Sequence, residues 1–245
     1  MSDLAPILPN KNDEVVTFEA ADGWQLSGVL RLPLAAGLDT GPRLMGAVLV
    51  PGSHHERDTF VYGLGVPDVF AEHGIASIRF DIRGRGESRS PRSWRQLSTH
   101  ERRRVADDVA AAADLLRTRA GITDESVAVI SEQDTARSAA LAAAGDPLVG
   151  ALVMLSPRLD RSTLEALAAR RLPTYAMVSK EDRRSLRGAT HAYLAGDERS
   201  ELDVFSGLGF GTTMFMSRSF EQPDEVPLQV MLAEWVQRTL WIGNR

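Results

Sequence analysis

The sequence contains no cysteine. Disulfides, thiolate metal sites and cysteine nucleophiles are therefore excluded, whatever the fold. Lysine occurs only at Lys11 and Lys180, so arginine carries nearly all of the positive charge. The formal net charge is −5 and the pI is near 5.6. This balance provides no broad basic surface, so neither nucleic acid nor an anionic membrane is predicted as a partner.

Long apolar runs are also absent, because no stretch approaches the 18 apolar residues that a membrane span needs. The first residues, MSDLAPILPNKNDE, contain acids and prolines where a secretory signal has a basic start and an apolar run. A cytoplasmic location is predicted by default. With 245 residues, 43% of them hydrophobic and 25% charged, the chain is expected to fold as one α/β domain spanning residues 1–245.

The order of the apolar segments indicates the architecture. Two strands around a turn at residues 21–23 are predicted to form a hairpin or near-hairpin. Strands and helices alternate afterwards, and each later strand is almost continuously apolar. This alternation predicts an α/β fold with a doubly wound, mostly parallel, eight-stranded sheet flanked by helices and an antiparallel start. The predicted strands are 14–20, 25–34, 45–50, 75–81, 126–131, 150–156, 174–179 and 201–205. The predicted helices are 60–74, 100–120, 134–144, 161–171, 185–195 and 224–240.

Two loop motifs follow strands of the predicted sheet, VLVPGSHHERD at residues 48–58 and FDIRGRGES at residues 80–88. A strand ending in Pro-Gly, followed later by Asp-x-Arg-Gly-x-Gly-x-Ser, resembles the α/β-hydrolase fold over roughly residues 15–240. The resemblance is nearest to the compact dienelactone-hydrolase-like and serine-aminopeptidase-like branches. The connection between Ser156 and Thr174 is too short for the large cap of many relatives, so the resemblance implies a capless fold with an open cleft.

The nucleophile of this family lies in a G-x-S-x-G elbow, a sharp turn from strand to helix. The segment SEQDT, residues 131–135, matches that pattern and puts Gln133 at the nucleophile position. A carboxamide cannot form an acyl-enzyme as an activated hydroxyl does. A frame shifted by one residue would offer Asp134, as in dehalogenase relatives, but would bring Arg137 onto a position where the helix needs a small residue.

The family's catalytic triad has two further positions, an acid and a histidine, and this sequence retains only the acid. The segment SKEDRRS places Asp182, with Glu181 beside it, where the resemblance implies the catalytic acid. The glycine-rich segment VFSGLGFGTTMF, residues 204–215, has Phe210 where the resemblance implies the histidine. A serine without its base is a poor nucleophile, and a base without the nucleophile has nothing to deprotonate. The degenerate positions Gln133, Asp182 and Phe210 therefore predict that hydrolysis by the usual route is lost.

Polar residues remain at the loop that would supply one oxyanion-hole amide. His54 and His55 either replace the base, bind a metal, or are solvated side chains that contact substrate; adjacent loop residues seldom converge on one ion, so no metal and no cofactor is predicted. Gln133 either orients a polar ligand beneath the amides of Ser53 or His54 and Asp134, or is inert. The ligand-binding candidates are Gly52, Ser53, His54, His55, Gln133 and Asp134.

The leading hypothesis is a pseudoenzyme that binds a small molecule or a protein partner at the former active-site face. One alternative is an isomerase, lyase or cyclase that uses the same cleft without an acyl-enzyme. Another is an esterase or lactonase with an atypical site. A fourth is an interaction subunit whose crevice is filled by Phe210, Met214 or Trp94. The sequence leaves the ligand and the oligomeric state open.

Overall fold

The computed structural model describes residues 12–33, 44–61 and 65–242. Its eight strands form one sheet in the order β1-β2-β4-β3-β5-β6-β7-β8. The β1-β2 and β2-β4 pairs are antiparallel, and the remaining pairs are parallel. The predicted eight-stranded, mostly parallel sheet with an antiparallel start is thus confirmed. The strands are β1 Asp13–Glu19, β2 Gln25–Arg31, β3 Met45–Val50, β4 Ile75–Phe80, β5 Val127–Glu132, β6 Val149–Leu155, β7 Thr174–Ser179 and β8 Glu201–Phe205.

Helices connect the parallel strands and cover both faces of the sheet. Their bounds are α1 Val66–Glu72, α2 Thr99–Arg103, α3 Val105–Ala120, α4 Ala136–Gly145, α5 Arg161–Arg170, α6 Arg183–Ala195, α7 Thr213–Glu221 and α8 Leu228–Ile242. The connection from β6 to β7 holds only α5, without a cap. Among the described residues, no helix is long and apolar enough to cross a membrane.

The first predicted helix, 60–74, was too long. A 3-10 turn, Arg57–Phe60, precedes α1, which begins at Val66 next to a proline in its first turn. Residues 62–64 of that prediction lie outside the described residues, as does residue 34 of the predicted second strand. The helix ends as expected, because Gly74 takes a positive φ of 73° directly after the helix C-terminus.

The predicted helix 100–120 is two helices, α2 and α3, which meet at Arg104. Ser98, and not Thr99, caps the first of them. The Ser98 hydroxyl accepts from the Glu101 amide, and the Glu101 carboxylate accepts from the Ser98 amide at 2.9 Å. This is a capping box, and its Ser-x-x-Glu spacing is present in the sequence.

The sequence pattern did not indicate α7, which lies between β8 and the predicted last helix. The last helix, α8, begins at Leu228, four residues after its predicted start at residue 224. Met214 and Phe215 of α7 are buried, whereas Met216 and Phe220 are exposed. Two adjacent buried residues followed by exposed apolar ones give little of the periodicity that indicates a helix.

The core lies on both faces of the sheet. In β3, Val48 and Val50 pack in the cluster that includes α3 and α4, and Ala47 and Leu49 pack in the cluster that includes α1 and α8. Because successive side chains of a strand point to opposite faces, a strand covered on both sides must be apolar throughout. The carboxyl ends of β3, β5, β6 and β7 therefore open onto one edge, where the loops diverge.

The loop after β4 is braced by Arg83, whose side chain is fully buried. Its guanidinium pairs with Asp108 of α3 and with Asp22 of the β1-β2 turn, and it lies over the Trp24 ring. A buried cation needs such partners, so Arg83 fixes this loop rather than binding a ligand.

Candidate functional site

The turn from β5 to α4 has the geometry expected of a nucleophile elbow. Gln133 has φ of 50°, in the left-handed region that residues other than glycine rarely adopt. Its amide donates to the Leu155 carbonyl at 2.9 Å, and its carbonyl accepts from the Arg158 amide at 3.0 Å. Both partners come from the β6 side, so the sheet itself holds the turn. The structure places Gln133, and not Asp134, at the apex.

A buried carboxylate, Glu132, joins this turn to two other loops, the one after β3 and the one after β8. It accepts from the Gly52 amide at 2.8 Å, from the Thr212 amide at 2.8 Å and contacts His55 Nδ1 at 2.6 Å. Its side chain has no exposed surface. The sequence analysis did not single out Glu132. An acid at the end of an otherwise apolar strand was the available signal, because buried acids are rarely found without a partner.

Glu132 and His55 form an ion pair. Burial alone would raise the pKa of Glu132, but the hydrogen bonds from His55, Gly52 and Thr212 outweigh it and hold that pKa below its usual value. The hydrogen bond to Glu132 raises the pKa of His55 despite partial burial. His54 is exposed, as expected for a solvated side chain. The His55 side chain is 33% exposed, and its ring is held by the buried Glu132 carboxylate.

The carboxylate of Asp134 accepts from Ser53, one of the amides that the resemblance offered for the oxyanion hole beside those of His54 and Asp134. The Ser53 amide donates to Asp134 Oδ1 at 3.1 Å, and the Ser53 hydroxyl donates to Oδ2 of the same group. The preceding amide, Gly52, already donates to Glu132. The two residues that flank Gln133 in sequence therefore direct negative charge at the loop amides. Negative charge that developed at the Ser53 amide would meet the Asp134 carboxylate there, where catalysis needs an unoccupied donor.

The acid and histidine positions are not linked to each other. Asp182 Oδ1 accepts from the Ser185 amide at 3.2 Å and caps α6. Glu181 accepts from the Ser179 hydroxyl and the Gly207 amide. Phe210 lies in the loop between β8 and α7 with 51% of its surface exposed.

The crevice below Gln133 is closed by the loop after β8. Gly211 has φ of 57°, and a Cβ there would lie 2.7 Å from Glu132 Oε2 and 2.8 Å from Gln133 Nε2. Its amide donates to the Ser156 hydroxyl at 2.9 Å, and Met214 is fully buried beside that hydroxyl. Only a glycine allows this approach.

Of the three side chains expected to fill the crevice, Met214 is buried there. Phe210 does not fill the crevice, because half of its surface reaches solvent. Trp94 lies against the guanidinium groups of Arg85 and Arg102. A small cavity of about 210 Å³ remains between Trp94, Arg102 and Asp134.

Two serine hydroxyls lie next to the residues described above, those of Ser53 and Ser156. Neither Ser53 nor Ser156 is hydrogen-bonded to a histidine; their hydroxyls contact Asp134, Gly211 and Met214. In the part of the chain that the structure describes, no cluster of three or more histidine or acidic side chains could hold a metal ion.

No family model and no curated protein matches the sequence. Solved structures do match. The chain superimposes on a dienelactone hydrolase from Anabaena variabilis with a TM-score of 0.72 and 18% identity, covering 93% of this chain and 97% of that one. The esterase domain of a Rhodothermus marinus protein superimposes with a TM-score of 0.66 and 15% identity, covering 93% of this chain and 99% of that one. An esterase from Pyrococcus furiosus superimposes with a TM-score of 0.67 and 15% identity, covering 93% of this chain and 91% of that one.

These matches establish that the chain has the α/β-hydrolase fold, with the dienelactone hydrolase among its structural neighbours. The fold that the motifs indicated is confirmed. Identities of 15 to 18% carry no activity over, since function depends on the residues of the site and not on the scaffold.

Proposed function

We propose that this protein is a non-hydrolytic member of the α/β-hydrolase fold that binds a small molecule or a protein partner at the former active-site face. The observation that carries this proposal is the bond between the Asp134 carboxylate and the Ser53 amide, next to a glutamine at the elbow. Acyl transfer needs a nucleophile, a base and free oxyanion donors. Here Gln133 stands at the nucleophile position and Phe210 at the position of the base. The Asp134 carboxylate accepts from the Ser53 amide, one of the candidate oxyanion donors.

Two features of this face are suited to binding. The cavity beside Asp134 is lined by Trp94 and Arg102 and would accept a small polar group. Phe210, in the loop that packs on the elbow, and Phe220 of α7 expose apolar surface, 51% and 83% respectively. Aromatic side chains are enriched at protein interfaces. The proposal therefore keeps both kinds of occupant, and the experiments below separate them.

An ester assay tests the loss of hydrolysis. Purified protein, Gln133→Ala and Asp182→Asn are compared on p-nitrophenyl acetate and butyrate, with an equal concentration of albumin as background. The proposal expects the same background rate from all three proteins. Turnover above background that either substitution abolishes would contradict it and would establish the esterase or lactonase alternative.

A thermal-shift screen tests the binding. Ester, lactone and carboxylate fragments are screened against the protein and Asp134→Ala, which removes a wall of the cavity. A fragment that stabilises the protein and not the variant supports a small-molecule ligand. If no fragment acts, a protein partner remains, and Phe210→Ser with Phe220→Ser should weaken its capture. A partner that binds these variants unchanged would refute the use of this face.

The pair of His55 and Glu132 favours one second candidate, an enzyme that transfers protons without an acyl intermediate. A buried acid orients the partly exposed imidazole and raises its pKa, which is suited to a general acid. An isomerase or lyase would use such a group. Loss of a detected activity in His55→Ala but not in His54→Ala would support this candidate, and unchanged activity in both would exclude it.

A further inference from the structure

A second cavity, of about 700 Å³, lies between α4, α5 and α6 and contains none of the candidate site residues. Five arginines, one histidine and one acid contribute its polar lining. Leu159 and Leu164 contribute apolar surface. The polar residues are Arg137, Arg158, Asp160, Arg161, Arg184, Arg187 and His191.

The lining is strongly positive in a chain that is negative as a whole. Five arginines less one aspartate give a formal charge of +4 with histidine neutral, against −5 for the complete chain. Like charges held close together repel one another, so such a cluster is unfavourable unless an anion neutralises it.

Three of the arginines have no acidic partner within the described residues. Arg137 pairs with Asp160, and Arg161 pairs with Glu165 on the solvent side. Asp160 is also committed to capping α5, where it accepts from the Thr163 amide and hydroxyl. That leaves the exposed guanidinium groups of Arg158, Arg184 and Arg187 without a counter-charge.

The backbone brings these three groups together. A Cβ on Gly188 would lie 2.7 Å from the Pro157 carbonyl oxygen, so α6 packs directly against the segment that follows β6. Arg158 follows Pro157 in that segment, and Arg184 and Arg187 lie in the first half of α6. The three arginines therefore lie on adjoining segments and line the same half-open depression.

We propose that this cavity, defined as the α5-α6 cavity, binds a small molecule that carries two or more phosphoryl groups. Guanidinium groups are planar forks that bind phosphate oxygens in pairs. The volume falls within the range of small-molecule sites, roughly 300 to 1,000 Å³. A nucleic acid requires an extended basic stripe, which a chain of net charge −5 with one local group of arginines does not provide.

Isothermal titration calorimetry with sodium tripolyphosphate, at constant ionic strength, tests this proposal. The double variant Arg184→Ser/Arg187→Ser removes two unpartnered arginines. The matched control, Arg89→Ser/Arg238→Ser, removes the same charge from exposed positions elsewhere. Losing two charge-assisted contacts should weaken binding by at least roughly tenfold. The control should stay within about twofold of the original protein, because only long-range charge changes there.

Circular dichroism and thermal melts establish that both double variants are folded. Saturable binding that only the cavity variant loses supports the proposal. No saturable binding by the original protein, or equal weakening in both variants, would overturn it. Tighter binding of a single-stranded RNA oligonucleotide than of tripolyphosphate would also overturn it, because the occupant would then not be a small molecule. None of these outcomes depends on whether the Gln133 face hydrolyses esters.

Discussion

Replacing Glu132 with glutamine tests whether one buried carboxylate holds three loops together. The substitution keeps the shape but removes the charge. Its NH2 group replaces either Oε1, which accepts from the Gly52 amide and contacts His55, or Oε2, which accepts from the Thr212 amide. Hydrogen bonds to a charged group contribute about 1.5 to 3 kcal/mol each when lost singly. The cost of burying the charge is recovered and offsets part of the sum, so we expect a net loss of about 2 to 4 kcal/mol.

Urea unfolding followed by circular dichroism measures this loss, with Glu125→Gln as the control. Glu125 is exposed, and its replacement should change the free energy of unfolding by less than about 0.5 kcal/mol. In a chain of this length, 3 kcal/mol corresponds to a fall of roughly 6 to 12 °C in melting temperature. If Glu132→Gln is as stable as the control, the carboxylate does not tie the loops and the site description is wrong.

Two further predictions concern the same site. The raised pKa of His55 gives a stabilisation that is fully present below the unfolded value of about 6.5 and is lost as pH rises through the folded value. The lowered pKa of Glu132 gives a stabilisation that is present above its unfolded pKa of about 4.3 and is lost as pH falls through its pKa in the folded protein. The pair therefore stabilises most between about pH 4.3 and 6.5, and His55→Gln should lower the melting temperature more at pH 6 than at pH 9; equal losses would contradict this. Gly211→Ala should lower the free energy of unfolding by about 2 to 4 kcal/mol, because the residue has a left-handed φ and its new Cβ would clash with Glu132 and Gln133. Gly207→Ala, which has a similar φ but open space around it, should lower the free energy of unfolding by about 1 kcal/mol. Equal costs in urea unfolding would show that the loop does not pack on the elbow.

The sequence allowed the sheet and the elbow to be predicted because both depend on local patterns. The strands at residues 45–50, 174–179 and 201–205 were predicted to the residue, since each is a short segment bounded by turn-forming residues. The elbow followed from an apolar strand that runs directly into small residues of a helix. Gln133 has the left-handed φ that this pattern requires.

The contacts of the site could not be predicted, because they join residues that are far apart in the chain. Asp134 contacts Ser53 across 81 positions, and Glu132 contacts Thr212 across 80. The resemblance indicated which amides to expect at the crevice, but not that the side chain of Asp134 would accept from one of them. The same limit explains Phe210, whose exposed position depends on α7, a helix with weak periodicity.

The central claim is that no side chain at the elbow or its neighbouring loops is an activated nucleophile. Intact-mass spectrometry after incubation with an excess of a fluorophosphonate probe tests it most directly, because the probe reacts with a serine only where a base and oxyanion donors activate the hydroxyl. The structure predicts no adduct on the folded protein, since the hydroxyls of Ser53 and Ser156 contact a carboxylate, an amide and a thioether. One stoichiometric adduct per chain, on either serine or on any other, would contradict the claim.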